Sequence, residues 1–174
     1  MFTEEKTGYE EFVAILKNND DIKSLNIDGL ELKNIDLSKK KFTGCNFSNV
    51  KFIDCLCTGI KVRMCFFQFS EIKNSDFGNS DIQFSSFACA KIYNSSFKNS
   101  ELLQNNFNGI KAVDVNFGDS NLYNSRFIFA DLNKVIIQNC NIKKTVFLNM
   151  TEKDVSYKSS NTREAIFIDG EPAE

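Results

Sequence analysis

Apolar residues recur at every fifth position along most of the chain. From Ile22 to Phe147, all 26 positions at this spacing are apolar, and 11 of them are Phe. Because 42% of the chain is hydrophobic, chance would produce such a run on the order of 10⁻¹⁰ of the time. A period of five fits neither the 3.6-residue turn of a helix nor the two-residue alternation of a strand. The pattern therefore excludes a helical bundle and an ordinary sheet.

The other positions of each five-residue unit predict how the chain turns. Two residues before the apolar centre, 18 of 26 residues are Ala, Ser, Cys, Thr or Val, which indicates a second inward position with little space. Two residues after the centre, 16 of 26 are Asn, Gly or Asp. These residues tolerate left-handed backbone angles and form tight turns. Each unit is therefore predicted to be a short extended piece followed by a corner.

This pattern resembles the pentapeptide-repeat family, whose consensus is Ala-(Asp/Asn)-Leu/Phe followed by two variable residues. Close matches are Ala130-Asp131-Leu132, Ser75-Asp76-Phe77 and Ser120-Asn121-Leu122. The resemblance covers about three quarters of the chain, from 20 to 149. It implies an all-β fold, a right-handed quadrilateral β-helix (a pentapeptide-repeat solenoid) with four units in each coil.

The chain divides into three predicted segments. Residues 1–19 are expected to form an N-terminal capping helix, with helix from Thr7 to Asn19 and a capping box between Thr7 and Glu10. Residues 20–150 form the solenoid, in which Lys40 at an inward position suggests a local bulge. Because Glu152 occupies the next centre, the register is expected to fail after Asn149. Residues 151–174 are therefore predicted to be a C-terminal cap and tail.

The sequence offers few candidate catalytic residues, and we predict that the protein is not an enzyme. The chain has no His, which removes the commonest general base and metal ligand, and its abundant Ser falls mostly at inward positions. No catalytic residue, metal site or cofactor is therefore predicted. Cys45, Cys65 and Cys140 fall at inward positions like most of the six cysteines, whereas Cys89 falls at an outward corner. We expect core packing of the former and an accessible thiol at Cys89.

Charge and targeting signals constrain the partners. The solenoid from 21 to 150 carries 16 Lys+Arg against 12 Asp+Glu, so the acidity of the chain lies in its flanks. The family resemblance implies one alternative function, a DNA-mimic that binds DNA gyrase or topoisomerase and protects it. That role needs a strongly negative rod, and the positive charge disfavours it. Nucleic-acid binding is not expected either. The N-terminus lacks an apolar signal core and no run is long enough to span a membrane, which predicts a cytoplasmic protein.

One predicted face offers a surface for binding another protein. Folded four units to a coil, the centres from Ile27 through Phe47 to Phe147 line one side, whose outward positions carry only the charges Asp28 and Arg126. Exposed apolar residues are predicted there instead, and they are the candidate protein-binding residues: Met64, Phe66, Phe69, Phe84 and Phe129. The predicted function is a protein-interaction scaffold with an unknown protein partner. A two-fold homodimer through this face is the simplest assembly.

Overall fold

The computed structural model describes residues 2–167. The helix and the thirteen strands are, in chain order, α1 Tyr9–Asn18, β1 Asp21–Lys23, β2 Glu31–Lys33, β3 Lys41–Thr43, β4 Lys51–Ile53, β5 Lys61–Arg63, β6 Glu71–Lys73, β7 Asp81–Gln83, β8 Lys91–Ser96, β9 Lys111–Asn116, β10 Asp131–Ile136, β11 Val146–Phe147, β12 Thr151–Lys153 and β13 Ile166–Phe167. Among these residues, no helix is long and apolar enough to cross a membrane.

The strands pair in parallel with a constant offset of one coil. Asp21 is the partner of Lys41 in β1 and β3, and Glu31 is the partner of Lys51 in β2 and β4, each twenty residues apart. Stacking gives one sheet in the order β1-β3-β5-β7, a second in the order β12-β10-β9-β8-β6-β4-β2, and the pair β11-β13. Twenty residues are four units, so the predicted four-sided solenoid is confirmed, with about seven coils.

The repeating centres form the core. All 26 centres from Ile22 to Phe147 are buried. On one side, Phe rings stack from Phe47 down to Phe147 and on to Phe167, with neighbouring ring centroids 4.5–5.2 Å apart and planes within 20° of parallel. Such a ladder buries large apolar area in every coil and holds the coils in register, because a slip would break every ring pair at once.

The corners confirm the predicted turn chemistry. The residue two places after each centre has a positive φ at every one of the 29 positions from Ser24 to Glu164, 25 of them residues other than Gly. Asn, Gly and Asp reach this left-handed region more readily than other residues, which explains their frequency there. The corners therefore turn the chain by a right angle once per unit without interrupting the parallel pairing.

The N-terminal helix caps the first coil, and Lys40 holds it in place. Phe12 and Leu16 of α1 are buried against the open end of the core. The helix begins after Gly8 with no side-chain cap, so the predicted capping box of Thr7 is wrong. The predicted bulge at Lys40 is also wrong, because β3 pairs in register on both sides. The Lys40 ammonium instead donates to the carbonyl oxygen of Leu16 at 2.7 Å.

The backbone repeat continues beyond the predicted end of the register. The strand β12 pairs with β10, and Asp154, Ser159 and Glu164 form further left-handed corners. The expected loss of register after Asn149 is therefore wrong for the backbone. The hydrogen bonds between parallel strands continue the coil, and they do not depend on which side chain occupies the centre. The side chains do change, since Glu152 is exposed at its centre and accepts a hydrogen bond from the hydroxyl of Tyr157. Residues 168–174 of the predicted tail lie outside the described residues.

Candidate functional site

The candidate site is the side of the rod that carries the continuous Phe ladder, here called the Phe-bearing face. It is built on the centres Ile27, Phe47, Phe67, Phe87, Phe107, Phe127 and Phe147. Two corners flank it. The leading corner is every twentieth residue from Ser24 to Glu164, and the trailing corner is every twentieth residue from Gly29 to Asn149. The outward side chains of the face lie between these two ridges.

Apolar residues at left-handed corners are confined to this face. Its two corners contain 15 of the 29 left-handed positions, and five of those 15 are apolar: Met64, Phe69, Phe84, Cys89 and Phe129. The other 14 described positions, on the two corners across the rod, carry only Asn, Asp, Gly, Lys and Ser. Apolar residues are therefore concentrated on one side of the molecule, although every corner requires the same left-handed backbone conformation.

These side chains gain little in the isolated rod. Exposure reaches 56% for Met64, 64% for Phe69, 54% for Phe84 and 68% for Phe129. Bulky residues in the left-handed region are strained by about 1–2 kcal/mol each relative to ordinary backbone angles. Neither burial nor backbone preference therefore accounts for the presence of these residues at the corners.

Phe66 is placed differently from the prediction. It was expected to be exposed, but it is half-buried, and the ring of Phe2 packs edge-on against it with the ring centroids 5.5 Å apart. The arm that brings Phe2 there runs along the first coil of the face. Thr3 donates its N–H to the carbonyl of Ser24 at 2.9 Å, and Lys6 forms an ion pair with Asp28. Sequence reasoning missed this arm, because nothing in residues 2–6 follows the five-residue pattern.

The middle of the face carries no charge. The four stretches 44–49, 64–69, 84–89 and 104–109, which form the face and its corners over four successive coils, contain no Asp, Glu, Lys or Arg. Asp28 lies at one end, where it accepts from Asn49 at 2.7 Å and pairs with Lys6, and Arg126 lies at the other. Those bonds, with that from Asn49 the largest, hold the pKa of Asp28 below its usual value.

A notch interrupts the trailing corner. Its successive residues from the third coil to the sixth are Phe69, Cys89, Gly109 and Phe129, so two large rings flank two small residues. Gly109 has a φ of 66°, and a Cβ placed on it would lie 3.2 Å from the Sγ of Cys89. Apart from its chain neighbours, Cys89 is the only residue with atoms within 4 Å of that position, so the glycine leaves a gap in the corner that the thiol partly fills.

Most of the remaining buried polar groups form hydrogen bonds within the fold. Most inward hydroxyls bind backbone, as Ser100 does by accepting the N–H of Ser80 at 3.0 Å and donating to the carbonyl of Phe77 at 3.2 Å. A shallow groove of about 620 Å³ lies on the side opposite the Phe-bearing face, where Asn74 donates to Asp54 at 3.0 Å. Within residues 2–167, no three of His, Cys, Asp or Glu come together as a metal site.

Comparisons with known proteins find pentapeptide repeats in part of the chain. The family model described as pentapeptide repeats (8 copies) matches two overlapping ranges, residues 101–139 and 113–147. A trypsin-treated form of QnrB1, a plasmid-mediated fluoroquinolone resistance protein, is 16% identical, with 81% of this chain and 88% of that one covered and a TM-score of 0.47. Rfr23, a pentapeptide-repeat protein from the cyanobacterium Cyanothece 51142, is 13% identical, with 87% and 100% covered and a TM-score of 0.36. No curated protein sequence matches the chain.

The unbroken five-residue register, the twenty-residue parallel offset and the matched repeats agree with one another. The chain therefore contains pentapeptide repeats, matched by the family model over residues 101–147, within an all-β parallel solenoid.

Proposed function

We propose that the protein is a non-enzymatic interaction scaffold that presents its Phe-bearing face to a protein partner. The observation that carries the proposal is the confinement of the five apolar corner residues to the two corners of one face. In the free rod these residues cost free energy in two ways, through backbone strain and through the exposure of apolar surface to water. Burial against a partner removes the second penalty, since apolar area contributes about 25 cal/mol for each Å² removed from water.

The surrounding face is suited to the same task. The four stretches 44–49, 64–69, 84–89 and 104–109 of the face are uncharged, so a partner docking there does not desolvate an unpaired charge. The polar groups between the ridges are amides and hydroxyls such as those of Gln68, Ser86 and Asn108, which are able to form hydrogen bonds with a partner. The stacked core beneath fixes both ridges, so the rings are already in place before binding.

A photo-crosslinking experiment tests the proposal. The benzophenone amino acid p-benzoylphenylalanine is introduced at Phe84 of the full chain in the source cells, and irradiated samples are compared with the same replacement at Tyr93. Tyr93 is a half-buried aromatic residue in β8 on another side of the rod. We expect a discrete protein adduct from position 84 and none from position 93. Equal labelling at both positions, or none at 84, contradicts a binding role for the face.

A second variant separates function from stability. Replacing Phe69, Phe84 and Phe129 together with Asn, the residue common at the other corners, relieves strain at three left-handed positions. We expect the free energy of unfolding to rise by about 1 kcal/mol or more, while the crosslinked adduct, now probed with the benzophenone at Met64, disappears. Residues kept only for the fold would instead lower the free energy of unfolding when replaced.

A further inference from the structure

The trailing corner has a shape that fits a second copy of itself. Phe69 projects from the third coil. Gly109, two coils further on, has no side chain, and only Cys89 lies within 4 Å of its Cβ position, which leaves a gap in the corner that is here called the open position. Because coils are spaced by about 4.8 Å, the projection and the open position are about 10 Å apart along the rod. Cys89 lies midway between them. A two-fold axis that crosses the face at the level of Cys89 exchanges the projection of one copy with the open position of the other.

We propose, building on the proposed function, that the partner of the Phe-bearing face is a second copy of this chain, bound antiparallel about that axis. The register follows from the twenty-residue coil. Phe69 lies opposite the partner's Gly109, and Gly109 lies opposite the partner's Phe69. On the leading corner Phe84 meets its own counterpart, and at the axis Cys89 meets the partner's Cys89.

The charge distribution selects the antiparallel arrangement. If the two rods ran parallel, Arg126 would lie at the same height as its counterpart, and two like charges would face each other across the interface. In the antiparallel register Arg126 lies opposite Asn46, and the uncharged stretches of the two faces overlap. The arrangement is also isologous, with the same patch on both copies, as a closed two-fold dimer requires.

The available apolar area suits the core of an interface of ordinary size. A Phe side chain offers roughly 150–250 Å², so the rings of Phe69, Phe84 and Phe129, exposed at 54–68%, supply roughly 350 Å² from each copy. A standard interface takes roughly 800 Å² from each partner. The amides and hydroxyls between the two corners supply the remainder, so that polar contacts lie between two apolar ridges.

Cys89 allows a direct test with the unmodified protein. It is exposed, whereas the other five cysteines are buried. Purified full-length chain at micromolar concentration is examined by sedimentation velocity and treated with a short bismaleimide, which joins two thiols that lie close together. We expect a dimer and a covalent adduct of two chains through Cys89. The positional control is Cys89→Ser with Asn94→Cys, an exposed left-handed corner across the rod, which should give no adduct.

Two variants test the register. Phe84→Asn removes the pair of rings beside the axis and should weaken dimerisation by at least about tenfold. Leu56→Asn removes another exposed apolar side chain, on the side opposite the Phe-bearing face, and should leave dimerisation unchanged. A chain that sediments as a monomer, or a dimer without the Cys89 adduct, overturns the second-copy inference.

The proposed function is tested separately by the crosslinking experiment in cells. It fails if benzophenone at Phe84 captures no protein. Capture of a protein other than this chain supports the scaffold and overturns the dimer.

Discussion

At the scale of single residues, the small inward position is a hydrogen-bonding position as well as a narrow one. Where this position is Ser in successive coils, the hydroxyl of each Ser accepts a hydrogen bond from the backbone N–H of the equivalent residue one coil earlier, as Ser120 does from Ser100 at 3.0 Å. At Ser70 the column is apolar above and below, with Val50 and Ala90 as neighbours, and the Ser70 hydroxyl is buried without a partner. The same residue type is therefore stabilising in one column and destabilising in another.

This contrast predicts opposite outcomes for two Ser-to-Ala replacements. Ser70→Ala removes an unpaired buried hydroxyl and should raise the free energy of unfolding by about 1 kcal/mol. Ser100→Ala leaves the N–H of Ser80 without its acceptor and should lower the free energy of unfolding by about 1–2 kcal/mol. Denaturant melts of the two variants measure both effects. Equal losses would show that size alone governs the inward position.

The thiols differ in the same way, by burial. Burial raises the pKa of Cys140 to about 11 and the pKa of Cys57 well above its ordinary value. A raised pKa keeps the thiol protonated and unreactive until the pH climbs through that value. We therefore expect one of the six cysteines, Cys89, to react with iodoacetamide in the native protein at mildly alkaline pH, and all six to react after denaturation. Rapid native labelling of Cys140 would contradict the packed core.

At the scale of elements, the contact between α1 and the first coil depends on one partly buried amine. Besides its bond to Leu16, Lys40 donates to the carbonyl of Asn19 at 2.9 Å and to the carboxylate of Asp20 at 2.6 Å. A cation at a helix C-terminus satisfies carbonyls that have no partner within the helix, and it interacts favourably with the helix dipole. The inward Lys is thus the link between the cap and the solenoid.

Removing that amine should loosen the cap. Lys40→Ala is expected to lower the free energy of unfolding by about 1–2 kcal/mol and to speed amide exchange within Tyr9–Asn18. The neighbouring Lys39→Ala, at an exposed corner, should change the free energy of unfolding by less than about 0.5 kcal/mol. Hydrogen exchange resolved to α1 distinguishes the two, because a general surface-charge effect would appear in both variants.

At the scale of the whole molecule, the rod is net positive. Over residues 21–167 it carries 19 Lys+Arg against 15 Asp+Glu. Several of these charges pair between coils, as Lys51 does with Glu31 at 3.4 Å and Lys111 with Asp131 at 3.7 Å. Exposed pairs of this kind contribute little to stability but balance the surface. A protein that imitates DNA needs the opposite sign over its length.

The charge predicts the outcome of a gyrase assay. Micromolar protein should leave DNA supercoiling by gyrase unchanged, because attraction to a DNA-binding cleft is electrostatic and needs a negative surface. The assay is run at low and raised salt, with the triple Asn variant of Phe69, Phe84 and Phe129 beside the natural chain. Strong inhibition that vanishes at raised salt would favour the DNA-mimic alternative over the scaffold.

The sequence by itself determined the coil, the core and the place of the apolar corners. In a solenoid each coil contacts only its neighbours. The five-residue period therefore states which residues stack once the family resemblance supplies four units to a coil. The five-residue register therefore predicted the buried centres, the left-handed corners and the exposure of Met64, Phe69, Phe84 and Phe129. Their use in binding stays a prediction.

Only the tertiary structure decided what happens where the repeat meets other segments. Phe2 covers Phe66, Lys40 binds the end of α1, and the coil continues past Glu152. The first two contacts join residues more than twenty positions apart, outside the five-residue rule that links one coil to the next. The third arises because a backbone ladder, once stacked, extends by its own hydrogen bonds even where the side chain at the centre is a carboxylate that turns toward Tyr157 and solvent.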